Sequence, residues 1–241
     1  MNILLDQWTA VRERIEASCL RFHRSPNDVR LLAVSKTVPF ERVAQLARAG
    51  QVDFGENYIQ EALEKIQASC LELDDLKTKP NAYPVWHCIG PVQSNKTKWV
   101  ATQFDWLHTL DRLKIAERLS EQRPEELEPL RVLIQVNVDQ GQTKSGVSPE
   151  EVLALAKSVM SLKGLCLKGI MTMPDFDPDY DTQVALHGIG KAVFDQVSKE
   201  LGSPHWDTLS MGMTQDLEAA VQAGSTMVRV GTAIFGARGA I

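Results

Sequence analysis

The sequence predicts a single (β/α)8 barrel preceded by an extra N-terminal helix, and three observations carry that expectation. Eight short apolar runs alternate with amphipathic stretches, the pattern of a parallel sheet whose crossovers are helices. The length, 241 residues, suits one barrel of about 250 residues. No linker, repeat or low-complexity segment divides the chain, so residues 1–241 are expected to form one domain.

The elements follow in order. Leu4, Leu5, Trp8, Val11, Ile15 and Leu20 recur near helical spacing and predict the opening helix. Residues 31–35 form the first strand, and Val43, Leu46 and Ala47 give the next helix its inner face before Gly50 ends it. A strand at 52–55 leads to a helix over 58–68, and the polar, proline-containing stretch 73–84 reads as a surface loop. The third strand is 85–89, followed by a helix running through Trp99. The fourth is 104–108, with Asp111 expected to cap a helix carrying Leu113, Ala116 and Leu119.

Residues 132–138 make the strongest strand, and Ser148, Pro149, Glu150 and Glu151 form a capping box with proline at the first helical position. A strand at 165–170 precedes a long helix over 182–201. A strand at 206–209 precedes a helix that Thr214 is expected to cap and Gly224 to end, and 227–230 is the eighth strand. Eight units favour closure; a doubly wound open sheet is the alternative.

Composition narrows the function. Lys and Arg number 26 against 31 Asp and Glu, a net charge of −5, and no basic run offers a track for nucleic acid. Asp6, Arg12, Glu13, Arg14 and Glu16 interrupt the first twenty residues, which excludes the apolar segment of a signal peptide. No stretch reaches the length of a membrane span. The cysteines at 19, 70, 88 and 166 have no CxxC or Cys/His metal spacing; they read as reduced, mostly packed thiols of a cytoplasmic protein without a metal site.

In a barrel the chemistry collects at the C-terminal strand ends, which on this reading carry Lys36, Asn57, His87, His108, Asn137, Thr172, Ser210 and Arg229. A lysine after a strand is ordinarily a solvated surface residue. Lys36, however, leaves an apolar strand, where desolvation favours the nucleophilic amine that condenses with aldehydes. Ser210, Met211, Gly212 and Met213 follow the seventh strand, and Arg229, Val230, Gly231 and Thr232 close the eighth. Turns at these adjoining strands are the usual place for a phosphate in this architecture. An amine beside a phosphate cup suits a phosphorylated aldehyde, and pyridoxal 5'-phosphate (PLP) is one. A lysine-dependent aldolase acting on a phosphorylated sugar would share the same parts. Lys144, in the glycine-flanked segment 141–146, is either solvated or a second cation, and so a second PLP site. His87 and His108 read as core or rim histidines, with no third member for a triad. The acidic stretch 175–181 lacks the spacing of a calcium loop and reads as a solvated turn.

The segments LLAVSK, FGENYIQEALEKI, WHCIGPVQSNK, TKSG, GIMTMP and LSMGMTQDLEAAVQAGSTMVRVGTAIFGAR, in this order between residues 31 and 238, resemble the YggS/PROSC family, the pyridoxal 5'-phosphate homeostasis proteins. The resemblance implies a single barrel like the N-terminal domain of alanine racemase. It also implies that Lys36 is the Schiff-base lysine, that Asn57 lies beside the cofactor and that Arg229 faces the pyridine nitrogen. Ser210, Gly212, Gly231 and Thr232 would hold the phosphate, some through backbone N–H groups. A guanidinium at the ring nitrogen disfavours its protonation and weakens the electron sink that carbanion chemistry needs. Racemisation resembles a two-base reaction that takes a tyrosine from a second domain, and Tyr58, Tyr83 and Tyr180 match no such motif. The expectation is a non-catalytic PLP carrier that buffers the cofactor and delivers it to apo-enzymes; a low-activity amino-acid racemase is the alternative.

Overall fold

Each apolar run becomes a parallel strand, and the eight strands close in chain order, the last pairing back on the first. This computed structural model describes residues 2–80, 82–139 and 145–236. The strands are β1 Arg30–Val34, β2 Asp53–Glu56, β3 Val85–Cys88, β4 Trp106–Leu110, β5 Leu130–Val136, β6 Leu165–Thr172, β7 Thr208–Ser210 and β8 Met227–Val230. The helices are α1 Ile3–Arg21, α2 Phe40–Arg48, α3 Ile59–Glu72, α4 Thr97–Gln103, α5 Leu113–Gln122, α6 Val152–Met160, α7 Tyr180–Leu201, α8 Leu217–Gln222 and α9 Thr232–Phe235. The barrel closes rather than opening into a doubly wound sheet. Among the described residues no helix is long and apolar enough to cross a membrane.

Apolar side chains between strands and helices form the main core, with Val43, Leu46, Ile115, Leu119, Val159 and Val221 fully enclosed. The extra helix α1 buries Leu4, Trp8, Val11 and Ile15 against α2, α8 and α9. Trp8 Nε1 donates to Gln51 Oε1 at 2.9 Å, and Arg14 donates to the Glu218 carboxylate at 2.9 Å. A separate apolar cluster of Trp106, Leu133 and Met171, with Val85 against it, shares the buried interior with His87, His108, Ser210 and Arg229.

Several expectations shift against the structure. The fourth strand runs from Trp106 rather than residue 104, because Phe104 is buried as the C-cap residue of α4. Arg112 and Asp216 occupy the N-cap positions of α5 and α8 without side-chain caps, so Asp111 and Thr214 do not cap them; Asp111 pairs with Arg112 instead. The stretch after α3 is not only surface loop, since a 3-10 turn at Asp74–Thr78 buries Leu76, and Leu73 before it is buried too. The capping box at Ser148 forms, opening a 3-10 turn at Pro149–Glu151 ahead of α6. Asp179, in the acidic stretch, caps α7 by accepting from the Thr182 N–H.

Two register shifts shape the barrel. Between the pairs Leu107↔Val132 and Leu110↔Ile134, β4 has His108 and Thr109 where β5 has Leu133 alone. On β6, Lys168 is extra between the pairs Val132↔Leu167 and Leu133↔Gly169. Gly169 follows that bulge at φ 146°, and a Cβ there would lie 1.9 Å from the Thr208 carbonyl oxygen. No side chain fits between β6 and β7 at this point. Gly169→Ala is therefore expected to destabilise the fold by at least about 2 kcal/mol, measured by equilibrium urea unfolding. A loss below about 0.5 kcal/mol, the range of an ordinary surface change, would show that the two strands separate freely.

Candidate functional site

A cavity of about 710 Å³ opens at the C-terminal ends of the strands, within the range of small-molecule sites. Lys36 and Asn57 line it just beyond β1 and β2, and Arg229, Gly231 and Thr232 line it from β8 and the start of α9. Val34, Ile89, Met171 and Met213 supply apolar wall, and Thr109, Gln135 and Asn137 polar wall. Five of the seven residues expected from the sequence thus share one cavity. Ser210 and Gly212 do not line it: Ser210 is buried and bonded to Arg229, and the Gly212 carbonyl accepts the Arg229 backbone N–H at 3.0 Å. Gly212 sits at φ 91°, and a Cβ there would lie 2.4 Å from Ala220 Cβ, so its place is set by packing. Lys144 lies outside the described residues.

The turn that carries Lys36 is fastened on both sides. Ser35 Oγ donates to Glu56 Oε1 at 2.6 Å, and Lys65 Nζ, from α3, donates to the Ser35 carbonyl at 2.7 Å and to Glu56 Oε1 at 2.8 Å. Lys65 also pairs with Glu61, one helical turn earlier, at 2.6 Å. Glu61 in turn accepts the Thr37 N–H at 2.6 Å and so supports Thr37 at φ 62°, a left-handed conformation that non-glycine residues seldom adopt. Burial pushes the Glu56 carboxyl above its ordinary value, although Lys65 and Ser35 offset part of the cost. Asn57 reaches the mouth because its backbone passes against Gly90, where a Cβ would lie 2.1 Å from the Asn57 carbonyl oxygen.

Arg229 is 5% exposed, with Nη1 donating to Ser210 Oγ at 2.9 Å and Nη2 to the Thr172 carbonyl at 3.0 Å. Burial lowers its pKa to about 10, against the opposing charge of Asp216, so it is cationic at neutral pH. Asp216 belongs to a cavity loop, Met213 to Asp216, beyond the motif Ser210 to Met213 that the sequence singles out. Asp216 accepts the Met213 N–H at 2.6 Å and a bond from His187 on α7 at 3.0 Å. Burial raises its carboxyl, but these bonds prevail and hold it below its usual value. The His187 contact joins residues 29 apart and leaves no local sequence signal.

His87 and His108 are not strand-end residues. Both are fully buried within β3 and β4, and their nearest ring nitrogens are 2.9 Å apart. The fourth strand runs two residues beyond its expected end, which takes His108 inside the barrel, and Thr172 and Ser210 are likewise buried within β6 and β7. Thr109 and Ile89 line the cavity in place of the two histidines.

Barrel and mouth together define a protein of the alanine racemase N-terminal class: residues 10–239 match the family model described as "Alanine racemase, N-terminal domain". The chain is 49% identical over 228 residues, 95% of its length and 94% of the relative's, to the pyridoxal phosphate homeostasis protein of Pasteurella multocida. It belongs to the pyridoxal phosphate homeostasis protein family. Among solved structures, PipY of Synechococcus elongatus with PLP bound superposes with a TM-score of 0.75 at 29% identity, covering 92% of this chain and all of that one. Alanine racemase from Corynebacterium glutamicum shares the fold, with a TM-score of 0.65 at 16% identity over 95% of this chain and 62% of that one.

The Lys65 network makes a pH-dependent prediction. Lys65→Met leaves the Glu56 carboxylate buried without its cation, and is expected to cost about 3–5 kcal/mol at neutral pH. In that variant the folded state holds the Glu56 proton more tightly than the unfolded chain does. Stability should then fall as pH rises from the ordinary carboxylate value of 4.5 through the raised one. Urea unfolding at about pH 5 and about pH 7 checks it: a loss equal at both, relative to wild type, would remove Glu56 as the cause.

Proposed function

We propose that the chain binds PLP in the mouth cavity through Lys36 and acts in PLP homeostasis by holding and releasing the cofactor. The observation that carries this reading is the meeting of one lysine, a buried guanidinium and the Gly231–Thr232 turn in a single cavity. The cavity fits the cofactor in kind. Gly231 leaves a cradle that a Cβ would narrow, at 3.1 Å from the Val34 carbonyl oxygen, and α9 is the short extra helix beside which such barrels seat a phosphate. The relatives named above, including one with PLP bound in its solved structure, support the same assignment.

When bound, PLP supplies an aldehyde that condenses with a primary amine. The protein's part would be to present that amine on a fastened turn, to hold the phosphate with Thr232 and the backbone around Gly231, and to offer Arg229 to the ring nitrogen, with Asn57 also in the wall. A guanidinium with a pKa of about 10 keeps its own proton and leaves the ring nitrogen bare, which suits retention rather than carbanion chemistry. Ser210 and Gly212 act from behind the cavity through their bonds to Arg229, on the ring-nitrogen side.

Turnover needs a second base opposite the lysine, and among the described residues no tyrosine lines the cavity. Tyr83 and Tyr180 are bonded to Cys70 and Gln222, and Tyr58 is exposed. Asp216, the carboxylate in the wall, is already engaged by His187 and Met213. The carrier reading therefore outranks a racemase, and apo PLP-dependent enzymes are the recipients it implies. The four cysteines, free in the structure, support a reducing compartment such as the cytoplasm.

Borohydride reduction of the PLP-loaded protein followed by peptide mapping is expected to place the label on Lys36; label chiefly elsewhere would overturn the assignment. Lys36→Ala should lose the absorbance band of the joined cofactor yet bind PLP more weakly in calorimetry, because charge-assisted hydrogen bonds to the phosphate remain. Incubation with L-alanine, followed by chiral chromatography, is expected to show no turnover above the Lys36→Ala control. Loss of one acid–base partner costs about 10²–10⁴-fold in rate. Repeated turnover that depends on Lys36 would establish an enzyme.

A further inference from the structure

A column of hydrogen bonds runs through the barrel interior behind Arg229. Arg229 Nη1 lies 2.9 Å from Ser210 Oγ, Ser210 Oγ 3.3 Å from His108 Nδ1, His108 Nε2 2.9 Å from His87 Nδ1, and His87 Nε2 2.8 Å from Asp53 Oδ1. The two ends determine the order of protons. A carboxylate can only accept, so His87 donates from Nε2 to Asp53. A neutral imidazole then accepts at Nδ1, so His108 donates to it from Nε2 and itself accepts at Nδ1. The Ser210 hydroxyl must give its proton to His108, which turns its oxygen lone pairs to the guanidinium, a group that can only donate.

The surroundings favour this neutral arrangement. Burial lowers the pKa of both histidines, His108 furthest, with the charges of His87, Arg229 and Arg30 acting in the same direction. The carboxylates of Asp53 and Asp105 oppose the shift at His87 only in part. Arg30 from β1 and Arg131 from β5 lie over the Trp106 ring at 5.0 and 5.7 Å, and Trp106 stacks on His87 with centroids 5.2 Å apart. His87 is therefore held in plane as well as by its two bonds.

We propose that His108, its tautomer set by His87 and Asp53, is the positioning residue for Arg229, orienting Ser210 as one of the two acceptors that aim the guanidinium at the ligand cavity. The Thr172 carbonyl, at 3.0 Å, is the other. This deepens the PLP reading and rests on it for its binding readouts; the proton order can be read on the protein alone.

The test has two arms. Nitrogen-15 NMR of the ligand-free protein is expected to show both His87 and His108 as neutral Nε2–H tautomers; a proton on Nδ1 of His108 would overturn the column. In PLP titrations, His108→Leu and Ser210→Ala should each weaken binding by about fivefold or more and shift the absorbance band of the bound cofactor. His108→Asn, whose amide oxygen can take the place of Nδ1 as acceptor, should restore the wild-type band although it loses the link to His87. Should His108→Leu fail to fold, Ser210→Ala, which keeps both imidazoles, carries the measurement. Wild-type band and affinity in Ser210→Ala or in a folded His108→Leu would overturn the proposal. Failure of the wild-type protein to bind PLP would instead overturn the PLP reading, with the tautomer arm still deciding the column.

Discussion

The constraint on which the rest of the structure depends is a guanidinium inside a closed barrel. A charge taken out of water is costly unless it is hydrogen-bonded, and the Arg229 guanidinium donates to the Ser210 hydroxyl and the Thr172 carbonyl. Meeting that demand gives much of the interior to polar groups, so its apolar filling falls to the cluster of Val85, Trp106, Leu133 and Met171. At the seventh strand's exit the Gly212 carbonyl takes the backbone N–H of Arg229, at a backbone angle that glycine tolerates.

A second buried charge group stands beside β1. Glu56 and Lys65 are withdrawn from solvent, and replacing such pairs with apolar residues is often neutral or stabilising. Their contribution here is geometric: they hold Ser35 and, through Glu61, Thr37, the neighbours of Lys36 on either side. The cavity is thus bordered by two rigid assemblies, one presenting an amine and the other a permanent cation.

The parts of this arrangement legible in sequence are those with a local signature. Apolar runs ended by glycine or polar residues located all eight strands, and strand-end position located Lys36, Asn57 and Arg229. The boundaries were less legible, because an apolar residue such as Phe104 serves a helix end as readily as a strand start. That difference of two residues moved His108 from rim to interior, and no periodicity distinguishes an inward polar residue from a strand terminus. The bulge at His108 and Thr109 likewise has no glycine to announce it. Lys65 carries no local mark that separates it from a helix-surface lysine, and the Asp216–His187 bond spans too much chain to be inferred. What sequence omits, in each case, is the identity of the neighbour across the barrel.

The register places Leu32 opposite Arg229, so the first and last strands of the barrel meet at a seam. The helix α1 lies over the same join, against α8 and α9, and cannot settle until the final elements exist. Lys36 stands on one side of this seam, Gly231 and Thr232 on the other. A molecule gripped by both is a clasp, and its binding energy adds directly to the free energy of closure, growing with the logarithm of its concentration. If PLP is that molecule, cofactor supply would be felt as resistance of the barrel to opening at this seam.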